Sequence, residues 1–258
     1  MESDLHRLLV ARRGRATAAE RVVQRAERGG RPDLEDQGSR NSIDYRFADV
    51  RVRQAAPVHP LLPVLLEAAA GRFPPEDGAV VVLPPLAPGL EAVVSLTARA
   101  YVCTALAEDE ALRRVPDAYG GATDPGTLLA LVRGGTVGVL DATLVREGAG
   151  GELVLPVRHD LDGHPRVRHA RAVRRDVVVR GDERGLVTLG TGLAGRRELS
   201  VQALRLGTGE GRSLVRDALV GETGPVFAAV SPGNARSLRT FLALGFAPVG
   251  SEVLLQVP

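Results

Sequence analysis

The chain has 258 residues, of which 44% are hydrophobic and 25% are charged, and its formal net charge is +2. All 33 basic side chains of the Lys+Arg group are arginine, so the lysine of a Schiff-base enzyme, of a pyridoxal-phosphate site and of a P-loop is excluded. Cys103 is the only cysteine, which excludes an intrachain disulfide and argues against a structural zinc cluster.

The sequence also bears on the partners and the compartment. No segment approaches the ~20 consecutive apolar residues of a membrane span. Tryptophan is absent, and the few aromatic residues are not interleaved with basic ones in the way that stacks nucleic-acid bases. We therefore expect a cytoplasmic protein, a monomer or homodimer, with neither a membrane nor a nucleic acid as partner. An arginine-rich protein that binds nucleic acid is the weakest alternative.

Residues 1–40 differ in composition from the rest. They are rich in Arg, Glu, Ala and Gly, with a helix predicted from Thr17 to Arg28 and then a polar run, GGRPDLEDQGSR, without periodicity. We expect a flexible extension, which would be either a solvated tail or a basic docking arm.

The second segment, residues 41–150, alternates strand and helix patterns. The predicted elements are a helix at Leu61 to Ala70, a strand at Ala79 to Leu83, one long central strand over 91–106, helices at Glu108 to Val115 and Pro125 to Arg133, and a strand at Thr136 to Val145. Asp124 is expected to cap the helix at Pro125 to Arg133, with Pro125 at its first position. Alternating strands and helices predict a mixed α/β sheet.

The third segment, residues 151–258, begins in a stretch, 146–170, that is expected to be mostly loop because it is rich in Gly, Pro and Asp. Strands are then predicted at Val173 to Arg180, Leu186 to Gly190 and Arg197 to Leu204, followed by a glycine-rich helix start at 207–211, a helix to Val220, a strand over 225–230, a helix from Asn234 and a closing strand at Ser251 to Gln256. The turn GDERG joins the first two strands.

The helix from Asn234 has clear start and stop signals. Asn234 is a good N-cap after Pro232 and Gly233, because its side-chain oxygen can accept a hydrogen bond from a free helical N–H. The apolar stripe of this helix is predicted to be Ala235, Leu238, Phe241 and Leu242. Gly245 is expected to end the helix in a left-handed conformation, with Phe246 folded back onto Phe241 and Pro248 blocking continuation.

The order strand, LGTGEGRSLVRDALV, strand, NARSLRTFLALGF, strand resembles the C-terminal half of the GNAT superfamily of N-acetyltransferases, over about residues 173–256. The resemblance implies a mixed, largely antiparallel sheet flanked by helices, beside the additional N-terminal α/β segment. It also implies transfer of an acetyl group from acetyl-CoA, without a metal, to a primary amine of a small molecule or peptide. The alternative is a catalytically degenerate relative that binds acyl-CoA or another ligand for regulation.

The glycine-rich turn suits a phosphate on physical grounds. Gly209 and Gly211 carry no side chains, so a ligand can approach the backbone, and the free N–H groups at the helix start favour a pyrophosphate. The resemblance implies that acetyl-CoA binds Leu206, Gly207, Thr208, Gly209, Glu210, Gly211 and Arg212 of the turn, Leu199 and Val201 of the preceding strand, and Asn234, Ser237 and Phe241 of the later helix.

Three positions depart from the superfamily pattern. Leu206 replaces a Gln or Arg, Glu210 lies where an apolar residue is usual, and Phe241 stands in the place of a tyrosine that acts as general acid in many members. These departures favour the degenerate alternative.

Glu198 is the candidate general base. On a strand it shares one face with Ser200 and Gln202, while Leu199, Val201 and Ala203 lie on the other. A carboxylate there could take a proton from the acceptor's ammonium group if burial raised its pKa, and a Glu on this strand has that role in many members of the superfamily. The alternative is a solvated carboxylate, or one paired with Arg197 or Arg175.

Other candidate residues have a simpler explanation. The loop cluster His159, His164 and His169 with Asp160 and Asp162 would either bind a metal or an acidic substrate or be solvated. Cys103 lies in an apolar run typical of a core residue, and nothing marks Ser200 or Ser213 as an activated nucleophile.

Overall fold

The computed structural model describes residues 58–258, so the predictions for residues 1–40 lie outside the described residues. The helices are α1 (Leu61–Ala69), α2 (Glu108–Arg114), α3 (Pro125–Val132), α4 (Pro165–Val173), α5 (Glu210–Val220) and α6 (Ala235–Leu242). Short 3-10 turns lie at Gly121–Thr123, His159–Leu161 and Leu193–Gly195.

The strands are β1 (Val80–Leu83), β2 (Leu90–Leu96), β3 (Arg99–Cys103), β4 (Thr136–Val137), β5 (Asp141–Glu147), β6 (Arg175–Asp182), β7 (Gly185–Thr191), β8 (Arg197–Ala203), β9 (Pro225–Val230) and β10 (Ala247–Gln256). They form one ten-stranded sheet in the order β1-β3-β2-β10-β5-β9-β8-β7-β6, with β4 beside β10. Only the β1–β3 and β8–β9 pairs are parallel. The predicted class, a mixed and largely antiparallel sheet flanked by helices, is confirmed.

β5 crosses between two parts of the chain. It lies between β9 and β10 and pairs antiparallel with both, although it precedes them by about eighty residues or more in the sequence. Strands from residues 41–150 and from residues 151–258 therefore belong to one sheet.

The signals around α6 act as predicted. The Asn234 side chain accepts a hydrogen bond from the Ser237 N–H at 3.1 Å, Gly245 has φ +81°, and the Phe241 and Phe246 rings pack edge to face at 4.9 Å. The apolar stripe is wrong at both ends, because Ala235 is exposed and Leu242 is 47% exposed, whereas Leu244 beyond the helix is buried.

Three predictions are corrected. The single strand over 91–106 is a hairpin, in which Thr97 and Ala98, both with positive φ, form a two-residue turn between β2 and β3. The sequence does not indicate this turn, because neither residue is the Gly, Asn or Asp that such turns favour. The strand over 136–145 is two strands, β4 and β5. The stretch 146–170, expected to be loop, ends in α4, whose start is capped by the His164 ring accepting from the Arg166 N–H at 3.2 Å.

Different helices pack on the two faces of the sheet. On one face, α5 and α6 bury a cluster that includes Leu199, Leu214 and Phe241. On the other, α1 packs Leu61 and Leu65 against the sheet. The second face also carries most of the polar side chains of β8, β5 and β10, so we call it the polar face.

Candidate functional site

β8 and β9 separate soon after they begin. They run parallel, yet their ladder consists of two pairs, Arg197 with Val226 and Glu198 with Phe227. β8 continues to Ala203 and stays paired with β7 along its whole length, whereas its edge toward β9 has no ladder beyond Glu198. The divergence leaves a cleft in the sheet, with the backbone of Leu199 to Ala203 along one side.

The glycine-rich turn follows β8 and opens α5. Gly207 and Gly209 have φ +84° and +86°, which a residue with a side chain adopts only with strain, and nothing lies within 4 Å of either Cβ position. Residues 204–209 are exposed. The first backbone bond of α5 joins the Ser213 N–H to the Gly209 carbonyl, and no side chain of the described residues caps the start of this helix. Its first N–H groups are therefore available to an anion.

Glu210 does not face the space above the turn. Its side chain is 8% exposed and accepts hydrogen bonds from the backbone N–H of Arg205 at 3.2 Å and from Arg205 Nε at 2.6 Å. The hydrogen bond from Arg205 lowers the pKa of this carboxyl group. The carboxylate is thus paired with Arg205 and joins the two ends of the turn.

Glu198 lies at the point where the strands separate, in a buried ion network. Its carboxylate accepts from Arg174 Nε at 2.7 Å, Arg196 Nε at 2.9 Å and the Leu193 N–H at 3.0 Å. Burial on its own would raise the pKa, but Arg196 and Arg174 outweigh it and lower the pKa to about 2. The prediction of a raised pKa for Glu198, which a general base requires, is therefore wrong. The partners of Glu198 are Arg174 and Arg196, not Arg197 or Arg175.

The network continues across the polar face. The Arg196 guanidinium is fully buried, lies over the Phe227 ring at 4.9 Å and donates from Nη2 to Glu252 at 2.7 Å. Glu252 in turn accepts from the Thr143 hydroxyl at 2.6 Å. We call Arg174, Glu198, Arg196 and Glu252 the buried network.

Asp141 lies beside this network, and no cation among residues 58–258 pairs with it. It is the cross-strand partner of Glu252 and shares the face of Thr143, two residues along β5. Burial, together with the charges of Glu252 and Glu198, raises its pKa to about 7, although Arg196 partly offsets them. Its side chain is half-buried, so solvent reaches it.

α4 covers the β8 side of the polar face. Arg174 follows its last residue and donates to the Ser200 hydroxyl at 3.3 Å, while Arg166, in its first turn, donates from Nε to the Gln202 side chain at 3.4 Å. Arg166 is half-buried and has no carboxylate partner among residues 58–258. Burial and the charge of Arg174 lower the pKa of Arg166.

The predicted contacts from α6 have structural roles in this chain. Asn234 caps α6 through the Ser237 N–H, and Phe241 is buried in the core beside α5. Whether these three residues touch acetyl-CoA stays a prediction. The same holds for the other predicted contacts, namely Leu199, Val201, Leu206, Gly207, Thr208, Gly209, Glu210, Gly211 and Arg212.

The loop cluster is not assembled as one site. Asp160 pairs with Arg158, Asp162 pairs with Arg171, and His164 caps α4. Within residues 58–258, no group of three His, Cys, Asp or Glu side chains is placed to hold a metal ion.

The possible nucleophiles are in structural environments. Burial raises the pKa of the Cys103 thiol to about 12, and Ser200 shares a hydrogen bond of 2.7 Å with Thr188. The Ser213 hydroxyl donates to the Glu210 carbonyl at 2.9 Å. None of these three contacts is that of an activated nucleophile.

Five polar residues of the site were missed from the sequence, namely Asp141, Arg166, Arg174, Arg196 and Glu252. Asp141 and Arg166 lie outside the motif segment, Glu252 lies in the closing strand, and arginine is so frequent in this chain that no single one stands out. The detectable signal was the acid pair Asp141 and Glu252 on apolar strands, where charges are rarely buried unless they serve a structure or a site.

The chain was compared with known proteins. No protein-family model matches it, and no curated protein matches it. Among solved structures, it is similar to a GCN5-related N-acetyltransferase from Kribbella flavida, at 17% identity and TM-score 0.34, over 52% of this chain and 64% of that chain.

Two further solved structures are similar. One is a putative acetyltransferase of the GNAT family from Novosphingobium aromaticivorans, at 16% identity and TM-score 0.28, over 48% of this chain and 66% of that chain. The other, from Staphylococcus epidermidis, is described as functionally unknown, at 16% identity and TM-score 0.33, over 52% of this chain and 68% of that chain. The chain spans 64% to 68% of the length of these three proteins.

Proposed function

We propose that the protein is an acyltransferase that moves an acetyl group from acetyl-CoA to a primary amine. The observation that carries this proposal is the divergence of two parallel strands, β8 and β9, directly before an uncapped helix start. A pantetheine arm can add to the free edge of β8 as an extra strand would, while the pyrophosphate lies on the N–H groups of Gly207 to Gly211. Together with the sequence resemblance, this geometry favours a CoA thioester over a free nucleotide.

The reaction would be a direct transfer. The ammonium group of the acceptor loses a proton, and its nitrogen lone pair forms a C–N bond with the thioester carbonyl carbon. The nitrogen then gives up a second proton, the C–S bond breaks, and sulfur leaves with the electron pair and takes up that proton, so the products are an amide and CoA thiol. A backbone N–H of β8 near Val201 would polarise the carbonyl oxygen.

The test uses Gly211, whose Cβ position is 3.7 Å from the nearest atom, Ala203 Cβ, and therefore has room for a side chain. Titration calorimetry should give micromolar binding of acetyl-CoA and CoA to the full chain. We expect Gly211→Glu to weaken this binding at least tenfold, because it places a negative charge beside the phosphates. Gly211→Ala, which adds no charge, is the matched control and should bind within about threefold of the original. Equal binding by all three proteins would place CoA elsewhere.

The degenerate alternative, binding without turnover, is favoured by two observations. Phe241 offers no hydroxyl to the departing thiolate, and Glu198 is held by two arginines. Thiol release from acetyl-CoA in the presence of primary amines separates the two functions. Binding without thiol release would support the regulatory alternative.

A further inference from the structure

The polar face carries two opposite charges, one on each side of the cleft, that the buried network does not neutralise. Arg166 lies over β8 at Gln202, without an acidic partner among the described residues. Asp141 lies on β5, without a hydrogen-bonding cation there. β9 runs between them, and its last residue on this face is the small Ala229, the cross-strand partner of Thr143.

We propose, resting on the acyltransferase function above, that this face binds an acceptor carrying both an amine and a carboxylate, with its ammonium group at Asp141 and its carboxylate at Arg166. The acceptor class is thus a zwitterionic amino acid. Asp141 would then also receive the proton that the ammonium group loses before it attacks the thioester.

The spacing suits a small molecule. Neighbouring strands lie ~4.8 Å apart, so β8 and β5 are separated by about 10 Å, or more where β8 and β9 diverge. Because Asp141 lies on β5 and Arg166 reaches β8 from α4, the length of the acceptor is found by varying the number of methylene groups between its amine and carboxylate from one to three.

The chemistry of the two side chains supports their assignment. An arginine withdrawn from solvent without an acid gains much from a carboxylate, which its planar donors bind in bidentate fashion. At Asp141, the pKa near 7 reflects the adjoining acids Glu252 and Glu198 and the opposing Arg196, and it suits a group that accepts a proton near neutral pH. His169 of α4 has its pKa lowered to about 4 by burial and by Arg174 and Arg166, so it adds no charge there.

The experiment compares carboxylates with their amides. Thiol release from acetyl-CoA is measured with glycine, β-alanine and 4-aminobutyrate, and with glycinamide, β-alaninamide and 4-aminobutanamide. For the best chain length, we expect kcat/KM of the carboxylate to exceed that of its amide at least tenfold. Arg166→Gln should remove this preference by lowering the carboxylate value alone, with acetyl-CoA affinity unchanged. Arg168→Gln, on the exposed side of the same helix, is the matched control and should keep the preference.

Asp141→Asn tests the other end of the acceptor. It should lower kcat/KM for both members of a pair at least tenfold, leave acetyl-CoA affinity unchanged, and abolish the rise in rate through about pH 7. Calorimetric titration of 4-aminobutyrate into the CoA complex should show that Arg166→Gln weakens binding directly.

The outcomes separate the two proposals. Loss of all acetyl-CoA binding would overturn the acyltransferase function and this inference with it. Acetyl-CoA binding without thiol release from any primary amine tested would do the same. Thiol release with the amides but with none of the carboxylates, equal rates for acid and amide, or an Arg166→Gln protein that keeps the preference would overturn the acceptor class alone.

Discussion

At the scale of single residues, the site depends on how each charge is paired. Glu198 and Asp141 are both acids on one face of the sheet, yet their pKa values move in opposite directions, to about 2 and about 7. The difference comes from Arg174 and Arg196, which contact the first carboxylate and not the second. Glu198 therefore serves the structure, and Asp141 is the acid that titrates near neutral pH.

The pairing of Glu198 predicts a pH-dependent stability. Its folded pKa lies below its ordinary value of 4.5, so its contribution to stability is present above about pH 4.5 and is lost as pH falls toward 2. Glu198→Gln should cost about 3 kcal/mol at pH 7, because two buried arginines lose their shared anion. In urea titrations, the difference between the two proteins should shrink between pH 4.5 and 2.

A matched control for this change is Glu67→Gln, since Glu67 pairs with Arg72 on the exposed surface, where an ion pair contributes little. It should leave the urea midpoint unchanged. An equal midpoint for Glu198→Gln at pH 7 would mean that the buried network does not stabilise the fold.

At the scale of elements, the β2–β3 hairpin shows what local signals leave undetermined. Its turn residues, Thr97 and Ala98, have φ +45° and +57°. Asn and Gly adopt positive φ more readily, so they would stabilise the turn. We expect Thr97→Asn with Ala98→Gly to stabilise the protein by about 1 kcal/mol. Thermal unfolding measures the gain in stability. As a control, the same two residue types introduced at exposed sites in α2, by Leu112→Asn with Arg113→Gly, should destabilise the protein instead. A lower unfolding temperature for the hairpin variant would contradict the assignment of this turn.

The elements predicted well are those with punctuation in the sequence. Helices such as α3, with Asp124 accepting from the Gly126 and Thr127 N–H groups, begin close to where the cap places them. Two elements were misjudged: the β2–β3 turn, which lacks such a signal, and α4, whose start at Pro165 carries one but whose run PRVRHARAV is rich in charge. Sequence patterns report local preference, and tertiary packing decided these cases.

The candidate site was predicted in part for the same reason. The turn at 207–211 and the strand before it are local features, so the sequence alone indicated them. The sequence did not indicate the partners of Glu198. Arg174 reaches Glu198 from the end of α4, and Arg196 joins Glu198 to Glu252 on β10. Contacts between distant segments leave no spacing to detect.

At the scale of the whole molecule, β5 ties the two predicted segments together. It supplies the strand between β9 and β10, and its residues Leu144 and Val145 are buried in the clusters on either face. We expect a fragment of residues 151–258 to lack cooperative unfolding, since β9 and β10 would lose their shared neighbour. Circular dichroism and thermal melting of the fragment, with the full chain as control, test this. A sharp unfolding transition of the fragment would show that the segments are separable domains.

The position of β5 also has a consequence for how the chain is made. Thr143 of β5 and its partner Glu252 of β10 are 109 residues apart. At roughly 5–20 residues per second, a ribosome needs about 5–20 s to deliver the second after the first. During that time, the edge of β5 that pairs with β10 has no partner strand, so the nascent chain exposes an unpaired strand edge until the last strand emerges.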